Sequence, residues 1–333
     1  MSASENAQKM VPPDAGTAHS PKRTDALRAA QLYYQQDLTM EAIAHELGTS
    51  RSSVSRLLTH ARDIGLVEIN VRSPLDQSTR VQSDLHQRFG ITTHIVPVGS
   101  QTSEVDRLER VAISAARLLG QFVDSNMIIG VAWGSTISAI SRHLLVKQTH
   151  NTEIVQLNGA GNTQTTGIDY SSEILQRFGA AFGAKVQQFP VPAFFDRSST
   201  KDALWQERST IRVLEMQRRM DLVLFGLGTP FAEVPSRVYI GGYLDDADFA
   251  ALGASHVVGD VATVFYREDG STDNIPMNDR ASGPDFDTLR HASRRICVVS
   301  GASKIPAIRG ALAARLVTDL IIDEDTGRAL LGE

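Results

Sequence analysis

One stretch, residues 39–61 with the sequence TMEAIAHELGTSRSSVSRLLTHA, restricts the local fold more than any other part of the chain. Thr39 can N-cap a first helix whose apolar positions Ile43, Ala44 and Leu47 share one face. Gly48 then tolerates a positive φ at the turn, and Ser50 caps a second helix. In that helix Val54, Leu57, Leu58 and Ala61 recur at helical spacing and face inward, which leaves Arg51, Ser52, Ser55 and Arg56 pointing outward. The pattern predicts a helix-turn-helix. Between Ser50 and Arg62 stand Arg51, Arg56, His60 and Arg62 and no acid. A short basic helix after a tight turn suits the width of a DNA major groove. The candidate DNA-contacting residues are therefore Ser50, Arg51, Ser52, Ser53, Ser55, Arg56 and Arg62. The plainer alternative is a helical hairpin with surface arginines.

Any such contact must be local, because the 333-residue chain carries a formal net charge of −5. From Lys22 to Arg72 seven basic residues (22, 23, 28, 51, 56, 62, 72) face six acids (25, 37, 41, 46, 63, 68), so the positive charge concentrates in the second helix. With 42% hydrophobic and 21% charged residues the chain can build a sizeable core. The single Cys297 lies in the apolar run 296–299 and reads as a buried strand residue, which suits a reducing compartment. Residues 1–22 are polar with Pro and Gly and read as a disordered lead-in without a signal-peptide core. No apolar run approaches the roughly 20 residues of a membrane span, so the expectation is a cytoplasmic protein.

A helix over 25–35 should precede the helix-turn-helix, and an alternating strand around 66–71 should follow it, as a small wing or as the way out of the module. Residues 23–73 then form the DNA-binding domain. Residues 74–90 form a linker, with a helix at 77–89 that either packs on the next domain or makes a dimer contact. From Ile91 onward strands alternate with helices, the signature of an α/β domain with a mainly parallel sheet over 91–333. Strands are expected at 93–98, 127–133, 153–157, 185–189, 222–227, 261–266, 296–300 and 319–322. Helices are expected at 104–122, 135–146, 170–182, 202–219, 245–252 and 305–316.

Three strands of this domain run into small-residue turns: GVAWGST (130–136), FGLGT (225–229) and VSGASK (299–304). In an open α/β sheet the ligand crevice lies beyond the carboxyl ends of the strands, where helix N-terminal amides point inward. Glycines let the backbone approach closely, hydroxyls add hydrogen bonds, and Lys304 adds a positive charge, a set suited to a small phosphorylated anion. The residues so marked are Gly134, Ser135, Thr136, Gly228, Thr229 and Lys304. Asn158-Gly159, Asp260 and Asn278-Asp279-Arg280 are polar groups that could read a sugar. Arg280 could pair with phosphate or with Asp279, itself a plain turn residue. None of the turns matches a Walker A loop or a dinucleotide fingerprint, no histidine spacing suits a metal, and no nucleophile elbow occurs. No cofactor is expected.

From about Ala26 to the C-terminus the chain resembles the SorC/DeoR-type bacterial transcription regulators. The carrying motifs are AAQLYY (29–34), SRSSVSRLL (50–58), GVAWGST (130–136), VQLNGA (155–160), VGDVATVFY (258–266), NDR (278–280), GASKIPAIRGAL (301–312) and LIIDEDTGRALL (320–331), in this order. The resemblance implies a Rossmann-like effector domain similar to sugar-phosphate isomerases and glucosamine-phosphate deaminases, kept as a binder and not as a catalyst. It implies a dimer or tetramer on operator DNA, governed by a phosphorylated sugar or polyol. By position Gly134, Ser135, Thr136 and Lys304 match the family's phosphate side, and Asp260 and Arg280 fall in its other recurrent pocket motifs. Some relatives carry a lysine where Asn158 stands. A lysine can form an imine with an open-chain aldehyde, whereas Asn158 offers only hydrogen bonds, which points to a reversibly bound effector. The competing reading is a sugar-phosphate isomerase-like enzyme with a helical N-terminal extension. The capped basic helix weighs against it.

Overall fold

The structure is a computed structural model that describes residues 21–67, 77–99, 101–230 and 236–332, and the chain divides into two compact units, Met1–Pro74 and Leu75–Glu333. Of the expected lead-in over 1–22, residues 1–20 lie outside the described residues, as do the strand residues 68–71 and the Ser73-Pro74 break, while Pro21 and Lys22 are helical.

In the first unit α1 (Pro21–Tyr34), α2 (Met40–Glu46) and α3 (Arg51–Asp63) pack around Ala26, Ala29, Ala30, Leu32, Ile43, Ala44, Val54, Leu58 and Ala61. Thr39 Oγ1 accepts from the Ala42 N–H at 3.2 Å, and Ser50 Oγ accepts from the Ser53 N–H at 3.2 Å, so both sequence-assigned caps are made. Gly48 takes the left-handed turn at φ +60°. The first helix starts four residues earlier than its apolar face requires, at Pro21, where a fixed φ suits the first helical turn.

In the second unit α4 (Gln77–Phe89), β1 (Thr92–Val96), α5 (Glu104–Phe122), β2 (Ile128–Val131), α6 (Ser135–Arg142), β3 (Glu153–Gln156), α7 (Ile168–Phe182) and β4 (Lys185–Gln187) come first. Next are α8 (Ser198–Leu204), α9 (Arg208–Gln217), β5 (Leu222–Phe225), α10 (Arg237–Ile240), α11 (Asp246–Ala254), β6 (Gly259–Val261) and β7 (Val264–Tyr266). The unit ends with α12 (Pro276–Arg280), α13 (Phe286–His291), β8 (Arg294–Val299), α14 (Ile305–Ala313), β9 (Asp319–Asp323) and α15 (Glu324–Leu331). Seven strands pair in parallel in the order β1-β9-β8-β5-β2-β3-β4.

Both faces of this sheet are covered, which is why its strands read as unbroken apolar runs. Along β8, Ile296 and Val298 enter one core cluster while Cys297 and Val299 enter the other. Leu222 and Leu224 of β5 part from Val223 and Phe225 in the same way. The linker helix α4 packs on this unit, with Val81 and Leu85 buried in its core.

The helix expected over 135–146 ends at Arg142, and two expected elements differ in kind. The run 261–266 is not a strand of the sheet but half of a separate hairpin, in which β6 and β7 pair antiparallel across Ala262 and Thr263. Both turn residues have positive φ (47° and 71°), the geometry a two-residue hairpin requires. The usual glycine or asparagine is missing, so the turn left no mark in the sequence. The helix expected over 202–219 is two helices, α8 and α9. Trp205, at the break, tucks its ring between Phe189 (5.6 Å) and Phe195 (5.5 Å), and that packing overrides the helical periodicity.

Candidate functional site

The strand order sets the position of the site. From β2 the chain moves outward to β3 and β4, then returns to lay β5 on the other side of β2. The connections after β2 and β5 therefore diverge, which opens a crevice beyond their carboxyl ends. A pocket sits there, lined by Gly134–Ile137 after β2, Asn158 after β3, Gly226–Gly228 after β5, Ser236–Val238, Asp260, Thr263 and Lys304. Three separate glycine turns thus converge on one place.

Each polar group in the pocket has a structural reason to be there. Gly134 N-caps α6 without any side-chain cap, so amides of the first helical turn are left for a ligand or water. Gly228 pairs with Asp260 through two backbone hydrogen bonds (3.0 and 3.1 Å), which ties the hairpin to the end of β5. A side chain at 228 would collide with the Asp260 carboxylate, so only glycine permits this approach. Asp260 is fully enclosed; its Oδ2 accepts from the Thr263 N–H at 3.3 Å, and its Oδ1 has no partner. The Tyr239 hydroxyl lies beside the carboxylate and favours its charged form, although the two do not meet at ordinary hydrogen-bond geometry. The Asn158 Oδ1 is buried and unpartnered as well. Native interiors seldom leave buried acceptors unmet. Two of them share the crevice with the half-buried Lys304, an arrangement able to accept from hydroxyl donors and to pair with an anion.

Burial raises the Asp260 carboxyl to about 6, while Tyr239, the Thr263 N–H and Lys304 act to lower it. Burial lowers Lys304 below the usual lysine range, against the pull of Cys297, Glu104 and Asp260. Because the folded carboxyl titrates above its unfolded value, the fold prefers it neutral. The penalty is absent below about pH 4, grows between there and pH 6, and is complete above. Asp260→Asn should therefore stabilise the ligand-free protein against urea at pH 7.5, by at most about 3 kcal/mol, with the gain shrinking to about a third at pH 4.5. An undiminished gain at pH 4.5, or a loss at pH 7.5, would contradict this placement of the charge.

The cavity is about 50 Å³, room for a few waters. At its rim Arg237 is exposed, with its guanidinium 4.0 Å over the Tyr170 ring. Trp133 forms a wall, stacked on Tyr243 at 5.2 Å and donating from Nε1 to the Gly159 carbonyl at 2.8 Å. Arg237, Thr263 and Ser236 also line the pocket and carry no mark in the sequence. Arg237 sits on a four-residue helix with no periodicity to reveal it.

Of the residues marked in sequence, Gly134, Ser135, Thr136, Asn158, Gly228, Asp260 and Lys304 come together. Four do not line the pocket. Gly159 is packed against Val191 and Pro192, with its N–H donated to Ser282 Oγ at 2.9 Å. Thr229 is buried, its N–H donated to Ser236 Oγ at 3.2 Å. Asn278 clasps β7, accepting from the Phe265 N–H at 2.8 Å and donating to the Phe265 carbonyl at 2.9 Å. Arg280 pairs with Asp248, not with Asp279, and lines a separate depression of about 610 Å³ with Asp245 and Tyr243. Its charge is already neutralised there.

In the first unit α3 buries Val54, Leu58 and Ala61 and exposes Arg51, Ser52, Ser55, Arg56 and Arg62 on its other side. The Ser50 hydroxyl lies within 2.9 Å of Ser52 Oγ and 3.0 Å of Ser53 Oγ, which commits Ser50 and Ser53 to the cap. Arg51 pairs with Glu41 at 3.0 Å, an exposed contact weak enough to exchange for a phosphate. Arg56 and Arg62 donate only locally, to Ser53 Oγ (3.3 Å) and Thr59 Oγ1 (3.2 Å). Among the described residues no helix is long and apolar enough to cross a membrane, and no group of His, Cys, Asp and Glu is arranged to hold a metal.

Residues 73–332 match the family model described as "Putative sugar-binding domain". The chain is 32% identical to the deoxyribonucleoside regulator of Bacillus subtilis (strain 168), over 94% of this chain and 98% of that one. A solved domain of a possible sugar-binding transcriptional regulator from Arthrobacter aurescens TC1 is 55% identical, with a TM-score of 0.73, over 78% of this chain and all of that one. The full-length sorbitol operon regulator SorC from Klebsiella pneumoniae shares the fold at a TM-score of 0.79 and 24% identity, over 92% of this chain and 97% of that one.

Proposed function

This chain belongs to the sugar-binding domain family of transcriptional regulators, and from that membership we propose that it is a repressor of a carbohydrate or polyol catabolic operon, released or tightened on DNA by a phosphorylated sugar or polyol. It is a sugar-responsive transcriptional regulator. One observation carries the finer reading of the pocket: the unpartnered Asp260 and Asn158 oxygens share an enclosed crevice with Lys304 and the open N-terminus of α6. In this reading Lys304 and the amides of Ser135 and Thr136 hold the phosphate, Asp260 and Asn158 accept from hydroxyls, and Arg237 closes the rim. Gly134 and Gly228 keep the backbone out of the ligand's way, while Arg280, Asn278, Gly159 and Thr229 support the walls from outside.

Asn158 has no amine to form an imine, and this reading gives the Lys304 amine to the phosphate, which favours an effector held by hydrogen bonds and charge. The pocket acts as a binder and not as a catalyst; the isomerase alternative has no support among relatives that carry regulator names. On DNA, Arg51 and Arg62 meet phosphates while Ser52, Ser55 and Arg56 face base edges, with Ser50 and Ser53 fixing the helix start. A homodimer or homotetramer in the cytoplasm presents two such helices to paired half-sites. Binding of the full chain to the DNA upstream of its own coding region, with and without sugar phosphates, tests the reading. Salt-sensitive, sequence-selective binding that responds to ligand supports it; indifference to that DNA at low salt would refute it.

A further inference from the structure

The turn that carries Lys304 is tied to a part of the fold that the pocket itself does not use. Gly301 opens this turn at φ +97°, and its N–H is shared between Asp323 Oδ2 (3.2 Å) and Thr326 Oγ1 (2.9 Å). Asp323 is completely buried at the end of β9 and N-caps α15, accepting from the Thr326 N–H at 3.0 Å and from the Thr326 hydroxyl at 2.6 Å. Its second oxygen is held by Arg107 of α5 at 2.6 Å. Charge-assisted bonds between enclosed groups make this junction stiff. A shift of the Gly301 backbone must therefore move the first turn of α15 or break one of these bonds.

The neighbouring side of α15 lies on α4. Gly327, next to Thr326, brings the two helices so close that a methyl group there would sit 3.2 Å from Val81 and 3.7 Å from Leu85. At the far end Arg88 Nη1 donates to the Leu331 carbonyl at 2.9 Å. The helix α4 is also the first described element after the helix-turn-helix unit in the sequence. We propose that Asp323 and Thr326 are positioning residues that couple the Lys304 turn to the α15–α4 pair, so that occupation of the pocket is felt where the chain arrives from the DNA-binding unit. The proposal rests on the reading of the pocket as an anion site. Contiguity alone does not establish coupling, so the test must measure a response to ligand.

Hydrogen exchange of the full chain is compared in inorganic phosphate and in chloride at matched ionic strength. The expected result is slower exchange both at the start of α6 with the 301–304 turn and in α4 and α15, by about fivefold or more, the low end of ordinary coupling between sites. Absence of protection at the pocket would overturn the anion-site reading and this proposal together. Protection at the pocket with α4 unchanged would overturn the coupling alone. Thr326→Val keeps the side-chain shape and removes the hydroxyl. It should keep the pocket response and lose the one in α4, and Thr326→Ser should restore it. A wild-type response of α4 in Thr326→Val would remove Thr326 from the role. The wild-type comparison stands whether or not the valine variant folds.

Discussion

A Lys304→Ala protein is expected to keep its ligand-free melting temperature and to lose nearly all of the rise that a phosphorylated effector produces. Enclosure lowers the lysine below its usual range, so in the empty pocket its charge is held at a cost, and the alanine variant has little to lose. With a phosphate in place the same ammonium becomes half of an enclosed charge pair, whose truncation costs roughly 2–5 kcal/mol. A hundredfold weakening, about 2.7 kcal/mol, lies in the lower part of that range. At an effector concentration about 100 times the wild-type Kd, the stabilisation should fall from about 2.7 to about 0.4 kcal/mol. For a unit of this size that takes a rise of roughly 5–10 °C down to about 1 °C. Affinity for DNA without ligand should be unchanged. An undiminished thermal response in the variant would move the phosphate away from Lys304.

The second large effect is expected at Arg56. Its side chain is exposed on α3 and donates only to Ser53 Oγ, so Arg56→Ala should alter folding stability by less than about 0.5 kcal/mol. If the guanidinium reads a base edge, its loss costs about 1–3 kcal/mol, or 5–150-fold in operator affinity, and discrimination relaxes at one base pair. Arg62→Ala offers the contrast. A phosphate contact weakens binding to all sequences alike and lowers the slope of the salt dependence by about one. Titrating operator and scrambled DNA with both variants separates the two roles. Unchanged discrimination in Arg56→Ala would exclude it from base reading.

The parts of this architecture that can be read in the sequence are those with a local chemical mark. Thr39, Gly48 and Ser50 announce the ends of two helices because caps and positive-φ turns demand particular residues, and the structure makes each of those bonds. The helix α5 runs from Glu104 to Phe122, the bounds its apolar stripe requires. Three glycine turns foretold where backbone approaches a cavity, and Gly134, Gly228 and Lys304 meet there. What was lost is what depends on distant partners. Ala262 and Thr263 form a hairpin turn without turn residues, held by Asp260, and Trp205 ends a helix by packing between two phenylalanines. Arg280 lies near pocket residues in the sequence yet turns to Asp248, a choice that only the packing of α11 against α12 decides. The unmet oxygens of Asp260 and Asn158 have no sequence signature at all.

The most direct test is one titration: full-length protein against the DNA upstream of its own coding region, with and without a sugar phosphate that raises its melting temperature. Binding tighter than about 10⁻⁸ M, roughly a thousandfold or more above scrambled DNA, with affinity moved about 5–150-fold by the ligand, is the predicted result. A ligand that stabilises the protein yet leaves this affinity untouched, or no selective binding at low salt, would contradict the account.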